Sequence, residues 1–134
     1  MPEPLSADEA RRMRIVSIGM LMGVVLFLGI ALLMRLTLTP HPLSIVSWFA
    51  VGFALLSPVI AATVDRAQAD AATRRPGAPS PAFSRHLVAY ATLEAAGILC
   101  AAALMVAGSL LPLAAAVVPL GAMLLRFPRA SAAS

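Results

Sequence analysis

One carboxylate stands in the middle of a long apolar stretch of this sequence. Residues 87–106 read LVAYATLEAAGILCAAALMV, and Glu94 is the single charged side chain among them. An ionised carboxylate at the centre of a bilayer costs roughly 2.5–3.5 kcal/mol on insertion scales, and loss of water favours the neutral acid. The pattern therefore predicts a carboxyl that stays protonated much of the time and exchanges its proton if water reaches it.

Two side chains share the helical face of Glu94, and a third lies below them. Tyr90 precedes Glu94 by four residues and Gly97 follows it by three, which places them on one side of a helix. His86 lies one turn before Tyr90, at the polar end of the stretch. Tyr90 is expected to hydrogen-bond Glu94, and Gly97 to let a second helix approach closely. Glu94 and Tyr90 are therefore the candidate ion-binding residues.

The same carboxyl also has a structural interpretation. Glu94 can form a hydrogen bond with a hydroxyl on a neighbouring helix, such as Ser17 or Ser57, and so hold the helices together. We take this structural contact as the first hypothesis and a proton or cation carrier as the second. One observation separates them, because a carrier needs a path for water to Glu94, whereas a structural contact needs a satisfied hydrogen bond.

The composition is typical of a membrane protein. Hydrophobic residues make up 60% of the 134 residues and charged residues 12%, whereas a soluble domain carries about 25% charged residues. The sequence contains no HExxH, CxxC or Walker-type glycine motif, and it has two histidines and one cysteine, Cys100. We therefore expect no enzyme activity, catalytic residue, metal site, cofactor or nucleic-acid partner. Cys100 is expected to be a small buried side chain.

Four apolar segments are read as membrane-spanning helices, since a crossing takes about 20 apolar residues and backbone polar groups in lipid must be satisfied within the segment. The predicted spans cover residues 15–38, 43–64, 87–107 and 110–127. Short turns at 39–42 and 108–109 pair them into two helical hairpins, and residues 65–85 form the one long polar loop. The sequence thus predicts a single all-α domain, 1–134, built as a four-helix transmembrane bundle.

The arginines indicate the orientation of the bundle. Nine of the ten fall before the first span, in the 65–85 loop or at the end of the fourth span, and only Arg35 falls toward the other side, where its side chain can extend to the membrane surface. The positive-inside rule then places both termini in the cytoplasm. The first apolar run, 15–34, is longer than the core of a signal peptide and is expected to be retained. Arginine without lysine, with many alanines, suggests a GC-rich bacterial genome. Together with the apolar spans, this predicts a multi-pass protein of the bacterial inner membrane.

Short motifs predict details of the helices. Residues 6–9 have the S-x-x-E spacing of a capping box, so the first helix is expected to begin before the membrane. Gly19 and Gly23 have GxxxG spacing, which permits close helix contact. Pro58 and Pro119 are expected to kink the second and fourth helices.

Part of the sequence resembles known membrane proteins. The stretch YATLEAAGILCAAALMVAG, 90–108, is similar to the ion-carrying helix of the ring-forming proteolipid (c) subunits of rotary ATP synthases. Glu94, Ala95 and Gly97, with LLPL and LLRFP further on, also resemble a group of small bacterial four-span membrane proteins of unknown function. The resemblance covers roughly residues 85–129 and implies an ion-carrying role for Glu94.

The sequence therefore predicts a small integral membrane protein, structural or accessory in function, in contact with membrane lipids. It is expected to assemble as a homo-oligomer or in a larger membrane complex. The alternative is a proton- or cation-handling protein with Glu94 as carrier, similar to the ATP synthase proteolipid subunits. A third class, a module that binds a lipid or small molecule, requires a groove between the hairpins large enough for an acyl chain.

Overall fold

Helix is the dominant secondary structure of this chain in a computed structural model. The structure describes residues 6–37, 44–70, 80–107 and 109–128. In chain order the helices are α1 (Ala7–Thr37), α2 (Ser44–Asp70), α3 (Pro81–Val106), α4 (Leu111–Ala115) and α5 (Val117–Leu125). These ranges contain no β-strand, which confirms the predicted all-α class.

Three helices, α1, α2 and α3, are long and apolar enough to cross a bilayer. The 26 residues of α3 extend about 39 Å, more than the ~30 Å of hydrocarbon. α2 and α3 also reach further than the predicted spans. The predicted loop 65–85 is therefore helical at both ends, because α2 continues to Asp70 and α3 begins at Pro81. Residues 71–79 lie outside the described residues.

The predicted fourth span, 110–127, is shorter than a crossing and is broken. α4 and α5 are separated at Ala116, and together they extend about 22 Å, less than the hydrocarbon thickness. Proline explains the break, because Pro119 has no N–H to donate to the Ala115 carbonyl and its ring crowds the preceding turn. The effect of Pro119 is thus an interruption of the helix at Ala116, three residues before the proline.

α3 is the central helix and packs against each of the others. α1 runs parallel to α3: the Glu9 carboxylate accepts a hydrogen bond from the Ser80 N–H at 3.0 Å, and Val24 packs on Gly97 further along. The bond from Ser80 lowers the pKa of the Glu9 carboxyl, which lies before the apolar part of α1. Glu9 also completes the predicted capping box, since its N–H donates to Ser6 Oγ at 3.2 Å and its Oε2 accepts from the Ser6 N–H at 3.3 Å.

α2 runs antiparallel to α3. The Cys100 thiol in the second half of α3 donates to the Ala50 carbonyl in the first half of α2, at 3.8 Å, and Arg85 pairs with Asp65 at 2.9 Å toward their other ends. Because α3 lies between α1 and α2, those two helices have little direct contact. The predicted pairing of the first two spans into a hairpin is therefore wrong. α3 carries a small side chain toward each neighbour, Gly97 toward α1 and Cys100 toward α2, so a helix can approach closely on both sides.

The bundle has one arginine-rich end, where α1 and α3 begin and where α2 and α5 finish. Six of the arginines in the described ranges belong to it: Arg11, Arg12, Arg14, Arg66, Arg85 and Arg126. Arg35 lies at the opposite end. In the folded bundle the described arginines are therefore divided unequally between the two ends, as the positive-inside argument requires.

Arg35 binds the turn that follows α3 instead of extending away from the bundle. Its Nη1 donates to the Ser109 carbonyl at 2.6 Å and lies 3.5 Å from the Ala107 carbonyl. The last carbonyl groups of a helix have no donor within the helix, and a cation is favoured beside them. Arg35 thus ties the end of α1 to the end of α3.

Replacing Arg35 with glutamine should lower the free energy of unfolding by about 1 kcal/mol, because these carbonyl groups lose a charged donor. Thermal unfolding in detergent, followed by circular dichroism, measures the loss. Arg12→Gln is the matched control, since Arg12 is exposed and its ion pair with Asp8 spans 3.7 Å, an arrangement that stabilises little. Equal melting temperatures for the two variants would contradict this role of Arg35.

α2 continues through Pro58 as one helix. Proline has no N–H, so the Ala54 carbonyl four residues earlier loses its normal donor. The buried Ser57 hydroxyl donates to that carbonyl at 2.8 Å. The serine before the proline thus satisfies the carbonyl that the proline leaves without a donor, as hydroxyl side chains do in membrane helices.

Candidate functional site

Glu94 lies at the middle of the central helix. It is the fourteenth of the 26 residues of α3, so roughly 18–20 Å of helix lie on either side of it. Its side chain is half-buried at the edge of the contact between α1 and α3. In any bilayer that α3 crosses, this carboxyl lies near the mid-depth.

The described ranges provide Glu94 with no hydrogen bond and no ion pair. Its predicted partners are engaged elsewhere. The Tyr90 hydroxyl donates to the Met123 carbonyl, and the Ser57 hydroxyl donates to a carbonyl of its own helix. Ser17 is buried, and it lines the same small cleft between α1 and α3 as Tyr90. The hydrogen bonds predicted for Glu94, with Tyr90 or with either serine, are therefore not formed.

The direction of helical side chains explains why Tyr90 misses Glu94. Side chains of a helix lean toward its beginning, which carries the Tyr90 ring back over His86 and away from Glu94. The two rings stack with their centroids 4.8 Å apart and an interplanar angle of 27°. Tyr90 is buried, and His86 Nε2 is enclosed with no hydrogen-bond partner among the described residues.

Glycines shape the contact between α1 and α3 at two of the three predicted positions. A Cβ on Gly97 would lie 2.5 Å from Val24 Cγ1, so the close approach expected there is present. A Cβ on Gly23 would lie 3.6 Å from Glu94 Oε1, so this glycine leaves room beside the carboxyl. Gly19 is exposed, and the same position on it has open space around it. The Gly19–Gly23 pair therefore makes no joint helix contact within the described part of the chain.

The side of α3 that carries Glu94 borders the apolar outer surface of the bundle. The neighbouring exposed positions on α3 are small, at Ala91 and Ala95. α1 exposes large apolar side chains along its length, among them Ile15 at 63%, Met22 at 60% and Leu33 at 64%. A continuous surface of this kind fits lipid or another apolar chain.

Proton exchange at Glu94 is the chemistry that this arrangement supports. Cys100 is buried, as predicted, and its thiol is used in helix packing. Within the described ranges no three His, Cys, Asp or Glu side chains come together as a metal site. Sequence reasoning missed Met123, whose backbone carbonyl accepts the hydrogen bond from Tyr90. Every residue type has this carbonyl, so the sequence gives no signal for it.

Comparisons with protein-family models, curated proteins and solved structures find no match to this chain. The resemblance of the third helix to proteolipid subunits stays a prediction. The function has to be argued from the site, because a helical bundle by itself is compatible with many functions.

Proposed function

We propose that this chain is a small multi-pass protein of the bacterial inner membrane that handles protons, with Glu94 as the exchanging carboxyl. The observation that carries the proposal is an acid at mid-length of the central helix with no partner inside the described bundle. A structural contact requires a satisfied hydrogen bond. An unpaired acid in hydrocarbon is costly to ionise, so it keeps its proton until water arrives. The arginine-rich end, with both termini, faces the cytoplasm.

Infrared spectroscopy of the reconstituted protein tests this function. A protonated carboxyl has a carbonyl stretch that disappears on ionisation. The wild-type spectrum should show this band, and the band should be lost as the pH rises. It should be absent from the spectrum of Glu94→Gln. Asp65→Asn is the control, because Asp65 lies toward the arginine-rich end in an ion pair and its removal should leave the band in place.

Carbodiimide chemistry and proton flux complete the test. Dicyclohexylcarbodiimide should label Glu94, because it requires a protonated and reachable carboxyl. In vesicles with an imposed pH difference, Glu94→Gln should reduce the proton flux to the level of protein-free vesicles. A carboxyl that neither titrates nor reacts, together with an unchanged flux in Glu94→Gln, would rule out proton handling.

A second function, an accessory subunit that assembles with other chains, is supported by the apolar outer surface of α1 and α3. Glu94 would then find its hydrogen-bond partner across an interface, with a second copy or a different membrane protein. The oligomeric mass in detergent distinguishes the two functions. If Glu94→Gln dissociates and the wild-type protein shows no titrating carboxyl band, the accessory subunit is favoured.

A further inference from the structure

The Glu94 side chain reaches the outer surface of the bundle at the boundary between α1 and α3. It is half-buried, and its Oε1 lies 3.6 Å from the position that a Cβ on Gly23 would take. The exposed residues beside it on α3, Ala91 and Ala95, are also small. These four residues, Gly23, Ala91, Glu94 and Ala95, form what we call the Glu94 surface. Small side chains of this kind allow a helix of another chain to come close to the carboxyl.

The other polar side chains near the middle of the bundle already donate hydrogen bonds within the chain. The hydroxyls of Ser57 and Thr92 donate to carbonyls of their own helices. The Tyr90 hydroxyl donates to α5 and the Cys100 thiol to α2. Among the residues that the structure describes, Glu94 is therefore the mid-depth polar side chain that has no hydrogen bond.

A neutral carboxyl group is complementary to a second carboxyl group. It has one O–H donor and a carbonyl acceptor, so two facing carboxyls form two hydrogen bonds and leave neither group unsatisfied in hydrocarbon. A different membrane protein would need a polar side chain of its own at this depth, and such side chains are rare. A second copy of this chain always has one.

The orientation of the chain places the two carboxyls at the same depth. The unequal distribution of arginines inserts every copy in the same direction. Homodimers are most often two-fold symmetric, and for two copies with the same orientation the axis lies along the membrane normal. Each residue near that axis then faces its own counterpart. Glu94 of one copy therefore faces Glu94 of the other.

We propose that two copies of this chain associate through the Glu94 surface, and that the two Glu94 carboxyls exchange a pair of hydrogen bonds across the two-fold axis. Each carboxyl keeps its proton, donates to the other copy's carboxyl and accepts from it. This inference rests on the second of the proposed functions, assembly with other chains, and it names the chain and the group that complete the site.

Disulfide cross-linking of the full chain in membranes tests the contact. Cys100→Ser removes the native thiol and keeps a donor for the Ala50 carbonyl. In that background Ala91→Cys places a thiol on the Glu94 surface, about one turn from the carboxyl. Oxidation should link two copies there, because a disulfide needs Cα atoms only about 4.4–6.8 Å apart.

Val59→Cys, in the same background, is the matched control for cross-linking. Val59 lies nine residues after Ala50, and Ala91 lies nine residues before Cys100, which contacts Ala50 in the antiparallel pair of helices. The two positions are therefore level in the bundle. Val59 is 60% exposed but lies on α2, outside the Glu94 surface, so this variant should stay monomeric on oxidation.

Removal of the carboxyl tests the hydrogen-bonded pair. Glu94→Leu has a similar size without polar atoms, and it should raise the dissociation constant of the dimer in detergent by about tenfold. Leu56→Ala is the control, because Leu56 is exposed on α2 at the level of Glu94, and it should leave the constant unchanged. If Glu94→Leu does not fold, as judged by circular dichroism, Ala91→Leu replaces it and should weaken the dimer by adding bulk beside the carboxyl.

The outcomes separate the pair from the function on which it rests. Cross-linking at Ala91→Cys but not at Val59→Cys, with a dimer weakened by Glu94→Leu, supports both. Equal cross-linking at the two positions, or a dimer as tight in Glu94→Leu and Ala91→Leu as in the wild type, overturns the pair. Cross-linking of Ala91→Cys to a different membrane protein also overturns the pair but supports assembly. A wild-type chain that is monomeric in its native membrane overturns both.

Discussion

Gly97→Ala should lower the free energy of unfolding by about 1–3 kcal/mol, the usual effect of overfilling a packed core. The new Cβ would lie 2.5 Å from Val24 Cγ1 and 3.2 Å from Val24 Cγ2. Rotation of the valine does not relieve the contact, because both methyl groups are close and β-branched side chains in helices have one strongly preferred rotamer. Val24 is also completely buried, so α1 must move away from α3.

Unfolding in mixed detergent micelles measures this loss. Gly19→Ala is the matched control, because Gly19 is an exposed helical glycine with open space around it, and alanine there should stabilise the helix by roughly 0.5–1 kcal/mol. In the double variant Gly97→Ala/Val24→Ala the clash is absent, so the two changes should couple favourably by about 1 kcal/mol or more. Equal stability of Gly97→Ala and Gly19→Ala would show that the two helices are not in close contact at this point.

Ser57→Ala should cost about 1–3 kcal/mol of unfolding free energy, because it leaves the Ala54 carbonyl without a donor. The serine hydroxyl is the group that compensates for Pro58, and it is buried in the bundle. Water cannot replace it in a membrane interior, where unsatisfied backbone groups are especially costly. The melting temperature in detergent gives the direction of the change, and denaturant unfolding gives its size.

A second substitution tests whether the proline is the cause. Pro58→Ala restores an N–H that can donate to Ala54, so Ser57→Ala should be nearly neutral in that background. The comparison of Ser57→Ala alone with the same change in Pro58→Ala isolates the coupling between the two residues. An equal loss in both backgrounds would mean that the Ser57 hydroxyl stabilises α2 for a reason unrelated to Pro58.

The sequence by itself determined the features that depend on local chemistry and on the solvent. The length of the apolar runs predicted the three long helices, the spacing of Ser6 and Glu9 predicted the start of α1, and Glu94 was placed at the middle of its helix. The sequence also predicted that Arg35 lies at the opposite end of the helices from the other arginines. Each of these follows from residues that are close in sequence, or from the cost of moving charge into hydrocarbon.

Only the tertiary structure decided which surfaces meet. It placed α3 between α1 and α2, directed Tyr90 to the Met123 carbonyl, and left Glu94 without the partner that its helical spacing suggested. Periodicity identifies the side of a helix that is apolar, but it does not identify the helix that covers that side. That choice depends on close contacts between residues far apart in the chain, such as Val24 on Gly97, and on backbone carbonyls that every residue type shares.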